Sequence, residues 1–215
     1  MILHCVRHGE SLYNAEGRLQ GHLEVPLSAR GVQQAEATAE ALAGQPIEAI
    51  YASPLCRARQ TAEVIAQRLG LPLCVDDRLK EIDVGRFQGR LRAELLGRDA
   101  EVLARWASGD PDLRLPSGES RRQAAQRGRA AFEAIRRAGH AHVLIVAHGT
   151  VLLSTIKVLA GLRLEGPPWT LRNASITTLR WPEHGPLQIL ALDQVGHLSG
   201  WTGTGTFFSP KRAEK

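Results

Sequence analysis

The stretch ILHCVRHGE, residues 2–10, is a short apolar run that ends abruptly in polar side chains. A run of this length before a polar loop is typical of a buried strand. We therefore predict a strand over residues 2–6 that delivers Arg7 and His8 to the loop at its carboxyl end. Ligands bind beyond the carboxyl ends of strands in open α/β sheets, so we expect the functional site there.

Short apolar runs alternate with segments of helical periodicity along the rest of the chain. Predicted helices begin at Ser28 as an N-cap, at Ser53-Pro54 with the proline in the first turn, at Ser120, and after Gly149. Further predicted strands cover residues 47–52, 73–75, 142–147, 175–181 and 187–192. The alternation predicts the α/β class, as a three-layer α/β/α sandwich with a mostly parallel central sheet and one antiparallel edge strand.

The chain has 215 residues, 43% of them hydrophobic, which is enough to give one domain a buried core. The segment of about 90–117 carries short helical patterns with glycine and proline breaks, which predict a small helical cap insertion. We assign residues 1–198 to the domain. The segment 199–215 is predicted to be a loosely held C-terminal tail.

Three cysteines without a Cys-x-x-Cys pair argue against a disulfide framework or a structural zinc site. The first residues become polar too early for a signal peptide. The longest apolar stretch, residues 143–160, is interrupted by His148, Gly149 and Lys157, which argues against a membrane span. We therefore expect a cytoplasmic protein with no membrane partner.

The formal net charge of +5 suits either a polyanionic partner or a site for a small anion. The densest group of arginines, residues 121–137, lies on a predicted helix, where such charges usually form a solvated face. No nucleic-acid recognition motif accompanies them. We therefore predict no nucleic-acid partner.

Charged and imidazole side chains follow three of the predicted strands. Arg7 and His8 follow the first strand, Arg57 lies in the first turns of the helix after the second, and His148 follows the strand at residues 142–147. Arginine binds phosphate through a planar fork, and helix N-termini such as the one at Gly149 add N–H donors. The sequence therefore predicts a phosphate site at this edge of the sheet.

Cleavage needs a nucleophile and an acid in addition to an anion site. One ring nitrogen of His8 can attack phosphorus if a carbonyl fixes the other, and neighbouring arginines keep the ring neutral. The best candidate for the acid is Glu81, just after the third predicted strand, with Asp83 and Glu119 as alternatives.

An ordered set of motifs over about residues 1–198 resembles the histidine phosphatase superfamily, the phosphoglycerate mutase-like proteins. The matching stretches are Arg7-His8-Gly9-Glu10-Ser11 with Asn14, Ser53-Pro54-Leu55 with Arg57, Glu81-Ile82 with Gly85, Pro116-Ser117-Gly118-Glu119-Ser120, Val146-Ala147-His148-Gly149 and Asn173-Ala174-Ser175-Ile176-Thr177.

The resemblance implies a role for each residue that matches. His8 would accept the phosphoryl group as a phosphohistidine, and Glu81 would protonate the leaving oxygen and later activate water. The phosphoryl oxygens would be held by Arg7, Arg57 and His148. The residues expected to bind phosphate or line the substrate pocket are Asn14, Gln20, Gly21 and Gly149. Neither a metal nor a cofactor is implied.

The segment between Gly89 and the long helix is short compared with that of the glycolytic mutases, and a smaller cap admits water. We therefore predict a phosphatase of the superfamily that hydrolyses a small phosphorylated metabolite. The alternatives are a cofactor-dependent phosphoglycerate mutase and a non-catalytic phosphate-binding module. The sequence does not name the substrate and leaves the oligomeric state open, with a homodimer as one candidate.

Overall fold

The computed structural model describes residues 1–96, 99–166 and 170–199. Within these residues one six-stranded sheet has the order β3-β2-β4-β1-β5-β6. The strands are β1 (Ile2–Arg7), β2 (Ala49–Ala52), β3 (Leu73–Val75), β4 (His142–Ala147), β5 (Ile176–Arg180) and β6 (Gln188–Gln194).

The sheet is mostly parallel, as predicted. β1 pairs parallel with β4, and β2 pairs parallel with both β4 and β3. β5 is antiparallel to β1, and β6 is antiparallel to β5. β5 alone therefore runs against the other five strands. It is not the edge strand that we predicted, because β6 pairs along its outer side and forms the edge.

Six α-helices accompany the sheet in the described parts of the chain. They are α1 (Leu12–Glu16), α2 (Ala29–Leu42), α3 (Cys56–Leu69), α4 (Ala100–Ser108), α5 (Arg121–Arg137) and α6 (Gly149–Leu159). Short 3-10 turns occur at Asp77–Leu79, Gly85–Phe87, Arg92–Leu96 and Gly196–Leu198. The short helix α1 was not predicted, because five residues do not display a helical period.

Two hydrophobic clusters lie on opposite faces of the sheet. On one face, Val6 packs with residues of α2 and α3. On the other face, Leu3 and Cys5 pack with residues of α5 and α6, including Phe132 and Ile156. Successive residues of a strand point to opposite faces, so β1 contributes to both clusters. The predicted α/β/α sandwich is confirmed.

Serine caps position two of the helices. The Ser28 side chain accepts a hydrogen bond from the Gly31 N–H at the start of α2, and Ser120 forms a capping box with Gln123 at the start of α5. The predicted start of α3, at Ser53-Pro54, is wrong by a few residues. Helix α3 begins at Cys56 rather than at Ser53, whose hydroxyl contacts His148, the residue after strand β4, instead.

The predicted insertion of about 90–117 contains the 3-10 turn Arg92–Leu96 and helix α4. Trp106 of α4 packs in a third hydrophobic cluster with Leu19, Ile82 and Phe87 from loops of the main body. The insertion therefore lies against these loops. The predicted tail is outside the described residues except for Ser199, and no described helix has the length and apolar character to cross a bilayer.

Candidate active site

The adjacent strands β1 and β4 end at the same level of the sheet. Arg7 at the end of β1 is in register with Ala147 at the end of β4. The His8 N–H donates to the Ala147 carbonyl at 3.0 Å. The rings of His8 and His148 consequently lie 5.0 Å apart, centroid to centroid. The strand pairing alone thus brings together the two histidines that the sequence separates by 140 positions.

His8 is oriented by its neighbour in the chain. Its side chain is only 3% exposed, and Nδ1 lies 2.7 Å from the Gly9 carbonyl oxygen. A carbonyl can only accept, so Nδ1 carries the proton and Nε2 keeps its lone pair. Burial, followed by the charges of Arg57 and Arg7, lowers the pKa of His8 well below its ordinary value. At neutral pH the ring is therefore uncharged, as a nucleophilic imidazole has to be.

Gly9 brings a second element against this loop. A Cβ atom on Gly9 would lie 2.5 Å from the Gly31 carbonyl oxygen at the start of α2. Only a glycine permits this approach, and the Gly9 N–H donates to Thr61 Oγ1 of α3 at 3.0 Å. The backbone that orients His8 is thus held between two helices.

Arg57 is buried, with 1% of its surface exposed, and is held by two backbone carbonyls. Its Nη2 donates to the Gly21 oxygen at 2.9 Å and its Nη1 to the Leu23 oxygen at 3.0 Å. Gly21 adopts a φ of 53°, in the left-handed region that favours glycine. Within the described chain, the buried Nε of Arg57 has no hydrogen-bond partner, so it can serve a bound anion.

Arg7 lies buried beside His8 and donates from Nη1 to the Leu171 carbonyl. Burial lowers the pKa of both Arg7 and Arg57 to about 10, and the negative charge of Glu81 partly opposes this shift in each. Both guanidinium groups are therefore still charged at neutral pH. Two fixed positive charges beside a neutral imidazole have the chemistry that a phosphoryl dianion requires of its site.

His148 is the N-cap residue of α6 and is fully buried. Its Nε2 lies 2.8 Å from the Ser53 hydroxyl, and that hydroxyl also accepts the Leu55 N–H at 3.3 Å. Among residues of the described segments, His148 Nδ1 has no partner. Burial, and then Arg57, lowers the pKa of His148 well below its ordinary value. The ring is therefore neutral, with one buried nitrogen available to a ligand.

Glu81 is held against the first turn of α6. Its Oε2 accepts the Thr150 N–H at 3.2 Å, and its Oε1 accepts the N–H groups of Val151 at 3.1 Å and Ile82 at 2.9 Å. The Glu81 carbonyl accepts Nη2 of Arg127 at 2.8 Å, which fastens the loop to α5. The carboxyl group thereby has a defined position beside the phosphoryl site.

The two alternative acids have other contacts. Arg127 holds Glu119 through contacts of 2.8 and 2.9 Å, and Asp83 Oδ1 accepts the Gly85 N–H at 2.8 Å. One cleft is lined by Glu81 together with Arg7 and His8, and neither alternative lines it. The geometry therefore favours Glu81 as the acid.

The predicted pocket residues divide into two groups. Asn14, Gln20 and Gly21 line the same cleft, whereas Gly149 lines an adjoining groove. Ser11 connects two of these side chains, since its hydroxyl lies 3.0 Å from Asn14 Oδ1 and 2.8 Å from Gln20 Oε1. Their functional roles are still predictions.

Residues 3–193 match the family model described as histidine phosphatase superfamily (branch 1). The chain belongs to the histidine phosphatase superfamily. A Hydrogenobacter thermophilus protein named as a phosphoserine phosphatase is 35% identical over 179 residues, which are 82% of this chain and 88% of that protein. An Escherichia coli protein named as phosphoglycerate mutase GpmB is 35% identical over 187 residues, covering 84% of this chain and 85% of that protein.

A solved structure with the same fold is a mycobacterial glucosyl-3-phosphoglycerate phosphatase in complex with VO3. It is 30% identical to this histidine phosphatase, with a TM-score of 0.85 over 90% of this chain and 99% of that chain. The predicted family, the class of enzyme and the α/β fold are confirmed.

Asn173 of the histidine phosphatase site was not predicted from the sequence to be a site residue. Asn173 Nδ2 lies 3.1 Å from the His8 carbonyl and 3.2 Å from Asn14 Oδ1. Because Asn14 Oδ1 accepts, its amide N–H₂ group is free to donate elsewhere. Asn173 belongs to one of the matched motifs. Its contact with His8 joins residues 165 positions apart, and a local motif does not predict such a contact.

The cap insertion also contributes to the cleft. Arg92 and Trp106 line it together with Arg18 of the main body. The ring of His22 does not line the cleft, but its Nε2 lies 2.7 Å from the Glu81 carbonyl and so supports the loop that carries Glu81. In the described segments, no group of three or more His, Cys, Asp and Glu side chains is arranged to hold a metal ion.

Proposed function

We propose that this histidine phosphatase hydrolyses small phosphomonoesters through a phosphohistidine on His8, with Glu81 as general acid and then general base. The observation that carries the proposal is the His8 ring. Its Nδ1 donates to the Gly9 carbonyl, and the ring lines a cleft together with Arg7, Arg57 and Glu81.

The first step transfers the phosphoryl group. Nε2 of His8 attacks phosphorus, the N–P bond forms and the P–O bond to the alcohol breaks. Glu81 gives its proton to the leaving oxygen, so that an alcohol departs. Arg7 and Arg57 donate to the phosphoryl oxygens, on which negative charge is concentrated in the transition state.

The second step regenerates the enzyme. The Glu81 carboxylate takes a proton from a water molecule, whose oxygen attacks phosphorus as the N–P bond breaks. Inorganic phosphate leaves and His8 recovers its lone pair. The positive charge that a metal ion supplies in other phosphatases comes here from the two arginines, which supports a metal-independent reaction.

The relative named as a mutase favours a second candidate, isomerisation of phosphoglycerate. A mutase has to return the phosphoryl group to a hydroxyl of the bound intermediate before water reacts. The short cap insertion supports hydrolysis instead, because it admits water.

Purified protein given a chromogenic phosphomonoester and, separately, 3-phosphoglycerate distinguishes the two candidates. We expect release of inorganic phosphate that persists in EDTA. Isomerisation of 3-phosphoglycerate without phosphate release would contradict the phosphatase proposal. Loss of activity in EDTA that Mg²⁺ restores would contradict the metal-independent mechanism.

We also infer a cytoplasmic location and no nucleic-acid partner. The three cysteines, Cys5, Cys56 and Cys74, are all unpaired, which suits a reducing compartment. Cell fractionation tests the location, and binding to DNA or RNA that weakens steeply with salt would contradict the second inference. The homodimer stays a prediction from the sequence, to be tested by light scattering.

A further inference from the structure

A second groove adjoins the phosphoryl cleft. It shares Arg7, Trp106 and Thr150 with the cleft, so the two are continuous. Apolar side chains, among them Leu153 and Leu171, form much of its wall. A substrate whose phosphoryl group sits at His8 can therefore extend its body into this groove.

A buried arginine, Arg121, lines this apolar groove. Arg121 is the first residue of α5 and is only 4% exposed. In the part of the chain that the structure describes, neither its Nε nor its Nη2 has a hydrogen-bond partner. Burial lowers the pKa of Arg121, which the distant charge of Asp110 only partly opposes. Such a group costs stability unless a partner satisfies it.

The next arginine on the helix shows the ordinary arrangement. Arg122 is 43% exposed, and its guanidinium contacts both carboxylate oxygens of Asp112, at 2.6 and 2.8 Å. An exposed arginine that is paired with a carboxylate is typical of a solvated helix face. Arg121 is not part of that face, because it lies in the groove.

A second cation lies in the same groove. Lys157 of α6 is 7% exposed and lines the groove with Arg121, and the two charges are close enough for Arg121 to lower the pKa of Lys157 after the effect of burial. Gly149 and Lys157 are eight residues apart on α6, or about 12 Å along the helix axis. Side chains on a helix generally lean towards its N-terminus, which in α6 is the end beside the phosphoryl cleft.

We propose that this enzyme selects phosphomonoesters that carry a second anionic group, and that Arg121 and Lys157 bind this group in the groove. The inference rests on the phosphatase function proposed above. The apolar wall favours a carbon chain or ring between the two anions rather than a polyol. A carboxylate and a second phosphate share the required chemistry, since each accepts several N–H donors.

A matched series of substrates tests the proposal with the whole protein. The series consists of ω-carboxyalkyl phosphates of three to eight carbons, each with its own carboxamide, and the bisphosphates of the corresponding diols. The carboxamide has the same shape without the charge. We expect the wild type to prefer one length of carboxylate or bisphosphate over its carboxamide by about tenfold or more in kcat/KM.

The variants Arg121→Gln and Lys157→Gln are expected to bring the ratio of carboxylate to carboxamide close to one. Arg122→Gln, on the same helix, serves as the matched control and keeps the ratio of the wild type. If Arg121→Gln does not fold, Lys157→Gln decides by the same ratio. Stronger turnover of the bisphosphate identifies a second phosphate as the group bound, and stronger turnover of the carboxylate identifies a carboxylate.

Two results separate failure of this inference from failure of the proposed function. Equal turnover of carboxylates, bisphosphates and carboxamides by the wild type would overturn the second anion site and leave the phosphatase function standing. Absence of phosphate release from every member of the series, and from a chromogenic phosphomonoester, would overturn the function itself. A ratio that survives both variants would also overturn the site.

Discussion

Nε2 of His148 lies 2.8 Å from the hydroxyl of Ser53, although the two residues follow different strands. We infer that the Ser53 hydroxyl, which accepts the Leu55 N–H through one lone pair, donates its own hydrogen to Nε2. The proton of the neutral imidazole then lies on Nδ1, the buried nitrogen with no partner in the described residues. Ser53 thus makes His148 a donor for a phosphoryl oxygen.

Removing this hydroxyl is predicted to impair catalysis rather than folding. In Ser53→Ala the His148 proton is no longer confined to Nδ1, and one donor to the transition state is weakened. We expect kcat to fall about tenfold or more, with a small change in the melting temperature. Steady-state kinetics and thermal unfolding measure the two effects. A variant with the kcat of the wild type would show that Ser53 does not orient His148.

Glu81→Gln is predicted to affect substrates according to their leaving group. An alkoxide needs a proton as it leaves and a 4-nitrophenolate does not, so the first step with an alkyl phosphate loses about 10²- to 10⁴-fold. The loss in kcat/KM with 4-nitrophenyl phosphate should be much smaller. Glu119→Gln, which removes a carboxylate outside the cleft, is the control and should not discriminate between the two substrates. Equal losses on both substrates in Glu81→Gln would contradict its role as the acid.

Arg57→Lys tests the phosphoryl site while it keeps the charge. A lysine cannot donate to the carbonyls of Gly21 and Leu23 and also present a donor to phosphate in the geometry of the arginine fork. We expect kcat/KM to fall about 100-fold. The matched control is Arg59→Lys on the same helix, because Arg59 is exposed and pairs with Glu63. A loss of the same size in the control would point to an effect on α3 rather than on phosphate binding.

The buried histidines predict how stability depends on pH. The pKa of both His8 and His148 is lowered in the folded protein, so on acidification the unfolded chain takes up protons near pH 6.5 and the folded protein does not. Stability is therefore highest above pH 6.5 and is lost below it, by up to about 1.4 kcal/mol for each histidine and pH unit.

Melting temperatures measured from pH 8 to pH 5 check this expectation. The decline towards acid should be shallower in His148→Asn than in the wild type. His140→Asn is a suitable control, because His140 is exposed and its ring lies 3.6 Å from Glu48 at the surface. An unchanged melting temperature of the wild type between pH 7 and pH 5 would contradict the prediction.

The sequence predicted those parts of the site that depend on where strands end. Arg7, His8 and His148 stand directly after apolar runs, and parallel pairing then brings them to one edge of the sheet. The position of β6 was not predictable, because nothing in an edge strand's own residues states which neighbour it pairs with. Because β6 pairs with β5, β5 lies inside the sheet instead of at its edge.

Contacts between residues that are far apart in the chain could not be predicted from the sequence. Ser53 has the pattern of a helix cap, yet its hydroxyl contacts His148, and Asn173 connects the His8 loop to Asn14. Arg121 was predicted to lie on a solvated helix face and is buried in the groove instead. Helical periodicity predicts which face of α5 is exposed. It does not predict which charged residues of that face are buried where other elements, such as the cap insertion with Trp106, line the same groove.

Identification of the phosphorylated residue tests the central claim most directly. Enzyme mixed with substrate and quenched in alkali should carry one phosphoryl group that is labile to acid, and mass spectrometry should locate it on His8. His8→Asn should form no phosphoenzyme and lose more than about 10⁴-fold in turnover. The variant His4→Asn, which changes a buried histidine of β1, the strand that precedes His8, should still be phosphorylated. An acid-stable phosphoenzyme, or turnover near that of the wild type in His8→Asn, would contradict the account.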